Sequence, residues 1–84
     1  MDREKQVIPL YGFLEGDTIG LLMLGEESET VGSLAERLQS SASVRVARRA
    51  RVHVTHRGRT LAADATLVEA GLTPLDRFDV VEEP

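Results

Sequence analysis

Two histidines, His53 and His56, are the side chains of this sequence best suited by type to bind a metal ion or transfer a proton. They lie in residues 51–57, where apolar and polar residues alternate as in a half-buried β-strand. Positions three apart on a strand point to opposite faces of the sheet, so the two imidazoles do not converge on one ion. We therefore predict two surface histidines and no metal site in this chain.

The sequence contains no motif for the other common kinds of catalytic, metal-binding or phosphate-binding site. The absence of cysteine excludes a disulfide framework, a thiolate zinc site, an iron–sulfur centre and a cysteine nucleophile. A diiron carboxylate centre needs Glu-x-x-His pairs on facing helices, and no such pair occurs. Ser40, Ser41 and Ser43 have no neighbouring base, and glycine-rich phosphate-binding patterns are absent. We expect no catalytic residue and no cofactor in this chain.

Charge is distributed unevenly along the sequence. Residues 44–59 contain six arginines, two histidines and no acid, although the whole chain has a net charge of −4. Such polarity favours oriented docking on an acidic protein surface, because complementary potentials steer the encounter, although an ordinary solvated loop remains an alternative. Nucleic acid is disfavoured as a partner because one tyrosine and two phenylalanines offer little surface for stacking bases. The candidate interface arginines are Arg45, Arg48, Arg49 and Arg51.

The length of 84 residues suits a single hydrophobic core. Residues 1–6 form a polar segment that we expect to be a disordered extension before one domain over residues 7–83. This segment is too polar for a secretory signal, and no apolar run approaches the roughly 20 residues that a membrane-spanning helix needs. We expect a cytoplasmic protein that binds no membrane and no small-molecule substrate directly.

Hydropathy patterning predicts the elements that position these side chains. Two apolar runs, over residues 7–14 and 18–24, flank a polar turn at residues 15–17 and predict a β-hairpin. Pro9 fits this assignment because proline is accommodated at the beginning of a strand or at a sheet edge. Residues 25–29 are predicted to form a turn.

One amphipathic helix is predicted after this turn. Thr30 has the properties of an N-cap, although a capping-box pattern beginning at Ser33 allows a start three residues later. Four apolar residues recur at the spacing of one helical face, namely Val31, Leu34, Ala35 and Leu38. The serine-rich residues 40–43 are predicted to end the helix.

The second half of the chain contains three more predicted strands. They cover residues 51–57, a short segment beginning at Leu61, and residues 77–82. Gly58 is predicted to turn the chain after the first of them, and Gly71 to close a helical turn before the last. The order predicts an α+β fold, with a mixed sheet of four to five strands and one main helix packed across one face.

The second strand of the hairpin is apolar on both faces, unlike a strand that has one face in water. With one helix on one side of the sheet, either the odd-numbered residues from Ile19 to Met23 or the even-numbered Leu22 and Leu24 face outward. That face is exposed unless a partner covers it or residues 40–50 fold back over it. Leu22 and Leu24 are therefore candidate interface residues.

The element order and the second half of the chain resemble the ubiquitin-like β-grasp fold. The resemblance is carried by the strand, glycine turn and leucine of residues 54–61, by residues 64–72 and by the last strand at residues 78–81. Ubiquitin-like tags and sulfur carriers end in a Gly-Gly pair, and this sequence contains none. A freestanding ubiquitin-like protein-interaction module without conjugation activity is therefore one interpretation of the chain.

The sequence also resembles the toluene-4-monooxygenase system protein B family, through its hairpin, its helix register and the ending at residues 66–83. This resemblance implies a non-catalytic accessory (γ) subunit of a toluene-type multicomponent diiron monooxygenase hydroxylase. Such a subunit would dock on the large subunit and support aromatic hydroxylation by the complex. The implied partners are the large and middle subunits, with the diiron centre in the large (α) subunit.

Overall fold

A computed structural model describes residues 6–84, so the extension expected over residues 1–6 lies, except for Gln6, outside the described residues. The elements are β1 (Val7–Leu14), β2 (Leu21–Glu26), α1 (Val31–Ser41), β3 (Val52–His56), β4 (Arg59–Leu61) and β5 (Arg77–Glu82). The strands form one sheet in the order β2-β1-β5-β3-β4, in which β1 and β5 are parallel and the other neighbours antiparallel. This mixed sheet with one helix confirms the predicted α+β class.

The core lies between α1 and one face of the sheet. All four residues of the predicted apolar helix face are buried: Val31, Leu34, Ala35 and Leu38. The sheet supplies buried residues at alternate positions of its central strands, namely Ile8, Leu10, Leu14, Phe78 and Val80. Gly12 interrupts this series because a Cβ atom there would lie 2.7 Å from Cζ of Phe78. The glycine therefore makes room for the Phe78 ring.

The helix begins at the first of the two predicted starts. The Oγ1 atom of Thr30 accepts a hydrogen bond from the backbone N–H of Ser33 at 3.1 Å, which makes Thr30 the N-cap. The alternative start three residues later is wrong, and the Ser33 hydroxyl instead donates to Glu29 at 2.9 Å. At the other end, the backbone N–H of Ala42 donates to the carbonyl of Leu38.

The second strand differs from its prediction at both ends. Gly25 and Glu26, which were predicted to lie in a turn, belong to β2 and pair with Ile8 and Val7. At the start, residues 18–20 lie outside the strand. The Asp17 carboxylate accepts a hydrogen bond from the N–H of Ile19, a local bond that competes with strand pairing.

The hairpin between β3 and β4 turns at Arg57 and Gly58, whose φ angles of 55° and 78° are typical of a type I′ turn. The predicted glycine turn is thus confirmed, but Leu61 ends β4 instead of beginning it. Gly71, with φ of 83°, closes the turn before β5 as predicted. Within residues 6–84, no helix has the length and apolar character required to cross a membrane.

Candidate functional site

The sheet face turned away from α1 carries an exposed apolar surface on β1 and β2. We call it the outer patch; its members are Val7, Pro9, Tyr11, Leu22 and Leu24. Leu22 lies opposite Tyr11 and Leu24 opposite Pro9, so the side chains form cross-strand pairs. Leu22 and Leu24 are 58% and 60% exposed. Residues 40–50 therefore do not cover this face, and the sequence-based alternative that they do is wrong.

The outer patch ends at Phe13, whose ring is covered from two sides. The Arg77 guanidinium lies 4.0 Å from the ring centroid, and the ring packs against Gly20, where a Cβ atom would lie 2.5 Å from it. Asp79 holds Arg77 in place through two hydrogen bonds of 3.0 and 2.9 Å. This hydrogen bonding raises the pKa of Arg77. The boundary at Phe13 was not predicted from the sequence, although the alternation of β1 places Phe13 and Tyr11 on the same face.

The first candidate arginine, Arg45, binds an acidic residue of its own chain. Its Nε and Nη2 atoms donate to the Asp17 carboxylate at 3.0 and 2.9 Å, which joins the loop after α1 to the turn after β1. The Asp17 side chain is only 2% exposed, and the hydrogen bonds from Arg45 lower its pKa. Arg45 is thus committed to an internal, two-pronged ion pair.

Arg48 and Arg49 are also held within the chain. Arg48 pairs with Glu36 on the solvent side of α1 and donates to the hydroxyl of Ser40 at 3.2 Å. Arg49 donates to the Glu15 carbonyl at 2.7 Å, and its Nε lies 3.4 Å from the Glu82 carboxylate. Arg45, Arg48 and Arg49 therefore each pair with an acidic residue of the same chain.

Buried Gln39 fixes the backbone of this segment. Its Oε1 accepts the N–H of Arg49 at 2.8 Å, and its Nε2 donates to the carbonyl of the same residue at 3.3 Å. Gln39 is only 1% exposed, so its amide contributes two bonds where water has little access. The arginine loop is thereby anchored to α1.

Arg51 differs from the other candidate arginines because no acidic residue within residues 6–84 forms an ion pair with it. Its position before β3 separates it from the outer patch, which lies on β1 and β2 at the other side of the sheet. Arg48 pairs with Glu36 on α1, which covers the opposite face of the sheet. The structure therefore separates Arg48 and Arg51 from Leu22 and Leu24, whereas Arg45 and Arg49 are bonded to the turn between β1 and β2 through Asp17 and Glu15.

The histidines occupy different environments, and the prediction that both are surface residues is wrong for His56. Its Nε2 atom lies 3.0 Å from Oδ2 of Asp76, and the His56 side chain is 9% exposed. Asp76 also accepts hydrogen bonds from the N–H and hydroxyl of Thr73, and these contacts, led by the Thr73 N–H, lower its pKa. The His56 side chain is largely covered because it shares the inward face of β3 with Val54.

Metal-ligating side chains are not clustered in the described part of the chain. Across residues 6–84, no group of three or more His, Asp or Glu side chains is placed to hold an ion. His56 and Asp76 form a pair that connects β3 to the loop before β5. The outer patch is consequently the feature of the described surface best suited to a binding role.

The sequence and the structure both resemble proteins of toluene monooxygenase systems. A family model for toluene-4-monooxygenase system protein B (TmoB) matches residues 7–81. A chain from a toluene 4 monooxygenase HD complex with the inhibitor 4-bromobenzoate has a TM-score of 0.85 and 26% sequence identity, covering 93% of this chain and 100% of that chain.

A ubiquitin from Caldiarchaeum subterraneum has a TM-score of 0.78 at 18% identity, covering 94% of this chain and 96% of that chain. This likeness shows the ubiquitin-like β-grasp fold. No curated protein matches the sequence significantly. Since the family model spans residues 7–81, the chain belongs to the toluene-4-monooxygenase system protein B family.

Proposed function

We propose that this protein is a non-catalytic accessory (γ) subunit of a toluene-type multicomponent diiron monooxygenase. It docks on the large hydroxylase subunit and supports aromatic hydroxylation by the complex. Family membership and the structural likeness to a chain of a toluene 4 monooxygenase complex support the assignment to a monooxygenase system. The iron belongs to the partner subunit in this proposal, and no chemical step is assigned to the present chain.

The outer patch is the observation that carries the docking role. Its side chains are apolar, adjacent and more than 40% exposed at Val7, Tyr11, Leu22 and Leu24. A single helix covers only one face of the sheet, so nothing within residues 6–84 covers the other face at β1 and β2. Contiguous exposed apolar surface of this kind is typical of protein–protein contact sites.

The charge pattern supports a mainly apolar interface. Arg45, Arg48 and Arg49 already bind Asp17, Glu36 and Glu82, so an acidic partner would have to displace internal ion pairs to reach them. We assign these three arginines to holding the loop after α1. Arg51, which is free of such a pair, remains a candidate contact of secondary weight.

Co-purification of tagged protein from its native host, grown on an aromatic carbon source, tests the proposal. We expect the hydroxylase subunits to be recovered with the wild-type chain, and much less of them with the double variant Leu22→Thr, Leu24→Thr. Threonine keeps the strand propensity of both positions. Val68→Thr is the matched control, because Val68 is 54% exposed but lies outside the outer patch.

The expected loss follows from the exposed area. Burying a whole leucine contributes about 1.5–3 kcal/mol, so two leucines that are roughly 60% exposed contribute about 2–4 kcal/mol. This corresponds to an affinity loss of about 30- to 700-fold. Recovery of the wild-type chain without any hydroxylase subunit would refute the proposed function and favour a freestanding interaction module. Recovery unaffected by the double variant would exclude the outer patch as the docking surface.

Arg51→Glu tests the electrostatic contribution without breaking an internal ion pair. We expect a small decrease in recovery that disappears at high salt, because exposed charges are screened. A loss larger than that of the leucine variants would assign the interface to the arginine loop instead.

A further inference from the structure

We propose that the partner contributes an extended segment that pairs with the free edge of β2 and becomes a sixth strand of the sheet. The identity of the partner rests on the proposed function above, whereas the mode of contact rests on the geometry of β2 alone. The added strand runs along residues 22–24, beside the outer patch.

The hydrogen-bonding pattern of β2 identifies which backbone groups face outward. The N–H of Glu27 donates to the carbonyl of Gln6, so the odd-numbered residues of β2 bond to β1. The even-numbered residues Leu22, Leu24 and Glu26 then direct their N–H and C=O groups away from β1. β2 is the outermost strand of the sheet, so these groups lie along an open edge.

Part of this edge is already closed by side chains. Arg37 on α1 donates to the carbonyl of Leu24 at 2.8 Å, and Glu29 accepts the N–H of Glu26 at 3.4 Å. The same two side chains form an ion pair at 2.8 Å, which raises the pKa of Arg37. Burial raises the pKa of Glu29, but the hydrogen bonds from Arg37 and Ser33 together outweigh it and lower that pKa. The edge beyond Leu24 is thereby closed to another strand.

The remaining edge groups have no partner within residues 6–84: the N–H and C=O of Leu22 and the N–H of Leu24. Natural edge strands are usually protected by charge, proline or a bulge, and residues 21–24 carry none of these. A row of unpaired backbone groups is satisfied by another extended backbone and not by a helix. The occupant is therefore a strand.

The side-chain pattern of the occupant follows from the two surfaces beside the edge. Residues of the added strand that point outward meet Leu22 and Leu24, so they are apolar. Residues that point inward lie beside the Arg37 side chain, which donates to the Leu24 carbonyl, so they are polar. The fitting segment alternates apolar and polar residues over about four positions.

Hydrogen–deuterium exchange of the free chain and of its complex with the hydroxylase subunits, read residue by residue, tests the inference. We expect the amides of Leu22 and Leu24 to exchange rapidly in the free chain and about tenfold or more slowly in the complex. The amides of Met23 and Gly25 bond to β1 and serve as internal controls, slow in both states. A complex that forms while Leu22 and Leu24 stay unprotected overturns strand addition and leaves the proposed function intact.

The occupant is tested by the same measurement without the partner. Protection of Leu22 and Leu24 that grows with the concentration of the free chain would mean that a second copy fills the edge, which overturns the assignment to a hydroxylase segment. Failure to form any complex overturns the proposed function itself.

A pair of variants at Leu22 tests the same contact by mutation. Leu22→Pro removes the outward N–H, which Leu22→Thr keeps, so we expect the proline variant to bind the hydroxylase about tenfold more weakly than the threonine variant. Equal binding by folded forms of both variants would contradict the inference.

Discussion

Replacement of Gly12 by alanine tests the packing between the sheet and α1. The added Cβ atom would lie 2.7 Å from Cζ of Phe78 and 3.1 Å from Cδ2 of Leu38. Both neighbours are buried, with exposures of 0% and 1%, so neither side chain has open space into which to move. The strand or the helix must therefore shift.

The magnitude follows from two opposing effects. Overpacking a well-packed core by a methyl group costs about 1–3 kcal/mol. Loss of conformational freedom in the unfolded chain on replacing glycine offsets about 0.4–1 kcal/mol of this. We expect a net decrease of about 1–2 kcal/mol in the free energy of unfolding. For a domain of this size, the Tm would fall by roughly 5–15 °C.

Thermal unfolding followed by circular dichroism measures the effect, with Gly20→Ala as the matched control. A Cβ atom at Gly20 would also meet a phenylalanine ring, that of Phe13, at 2.5 Å. That ring is only half-buried on the outer sheet face and can swing toward solvent. We therefore expect Gly20→Ala to lower the Tm by less than about 5 °C.

A Tm for Gly12→Ala that equals or exceeds the wild-type value would refute this reasoning. The double variant Gly12→Ala, Phe78→Leu provides a further check, because the shorter side chain removes the atom that the new methyl group meets. We expect the two changes to be less destabilising together than the sum of their separate effects. Strict additivity would assign the loss to the backbone of β1 instead of to the contact with Phe78.

Two further predictions concern the loop before β5. Leu75 has a φ of 69° and is 60% exposed, so Leu75→Gly should relieve backbone strain and stabilise the fold by about 0.5–1 kcal/mol. Leu75→Ala keeps the strain and should not stabilise the fold. Denaturant unfolding of the two variants measures the difference in their free energies of unfolding. The lowered pKa of Asp76 means that its charged form stabilises the fold above its ordinary pKa of 3.8, a contribution lost as the pH falls through the lower folded-state value. Asp76→Asn should thus be less stable than wild type near neutral pH, with the gap in Tm closing in acid; a gap that persists unchanged down to about pH 2 would contradict the assignment.

The sequence alone was sufficient to predict the elements whose residue pattern depends only on neighbouring residues. The helical face of Val31, Leu34, Ala35 and Leu38 was predicted because side-chain periodicity depends only on the geometry of one helix. The N-cap at Thr30 and the final strand likewise depend on neighbouring residues. The ambiguity between two capping patterns was not resolvable locally, because both are compatible with the same few residues.

The extent of β2 could not be predicted from its own composition. Its first residues are apolar but engage the Asp17 turn, whereas Gly25 and Glu26 look like a turn but pair with β1. Register with the neighbouring strand decides which residues belong to a strand, and that register is a property of two distant segments. The covering of the His56 side chain was missed although His56 alternates with Val54 on β3, because its contact with Asp76 joins β3 to a loop 20 residues away in the sequence.

For the candidate site, the sequence predicted that one face of β2 would be apolar and would lie exposed unless a partner or residues 40–50 covered it, because a single helix cannot cover both sides of a sheet. Only the tertiary structure decided that this face is the one with Leu22 and Leu24, since Met23 turns inward to the core. The structure also decided that most of the arginine segment is internally paired. Arg45 meets Asp17 across 28 residues of sequence, and such pairing arises when folding brings remote charges together.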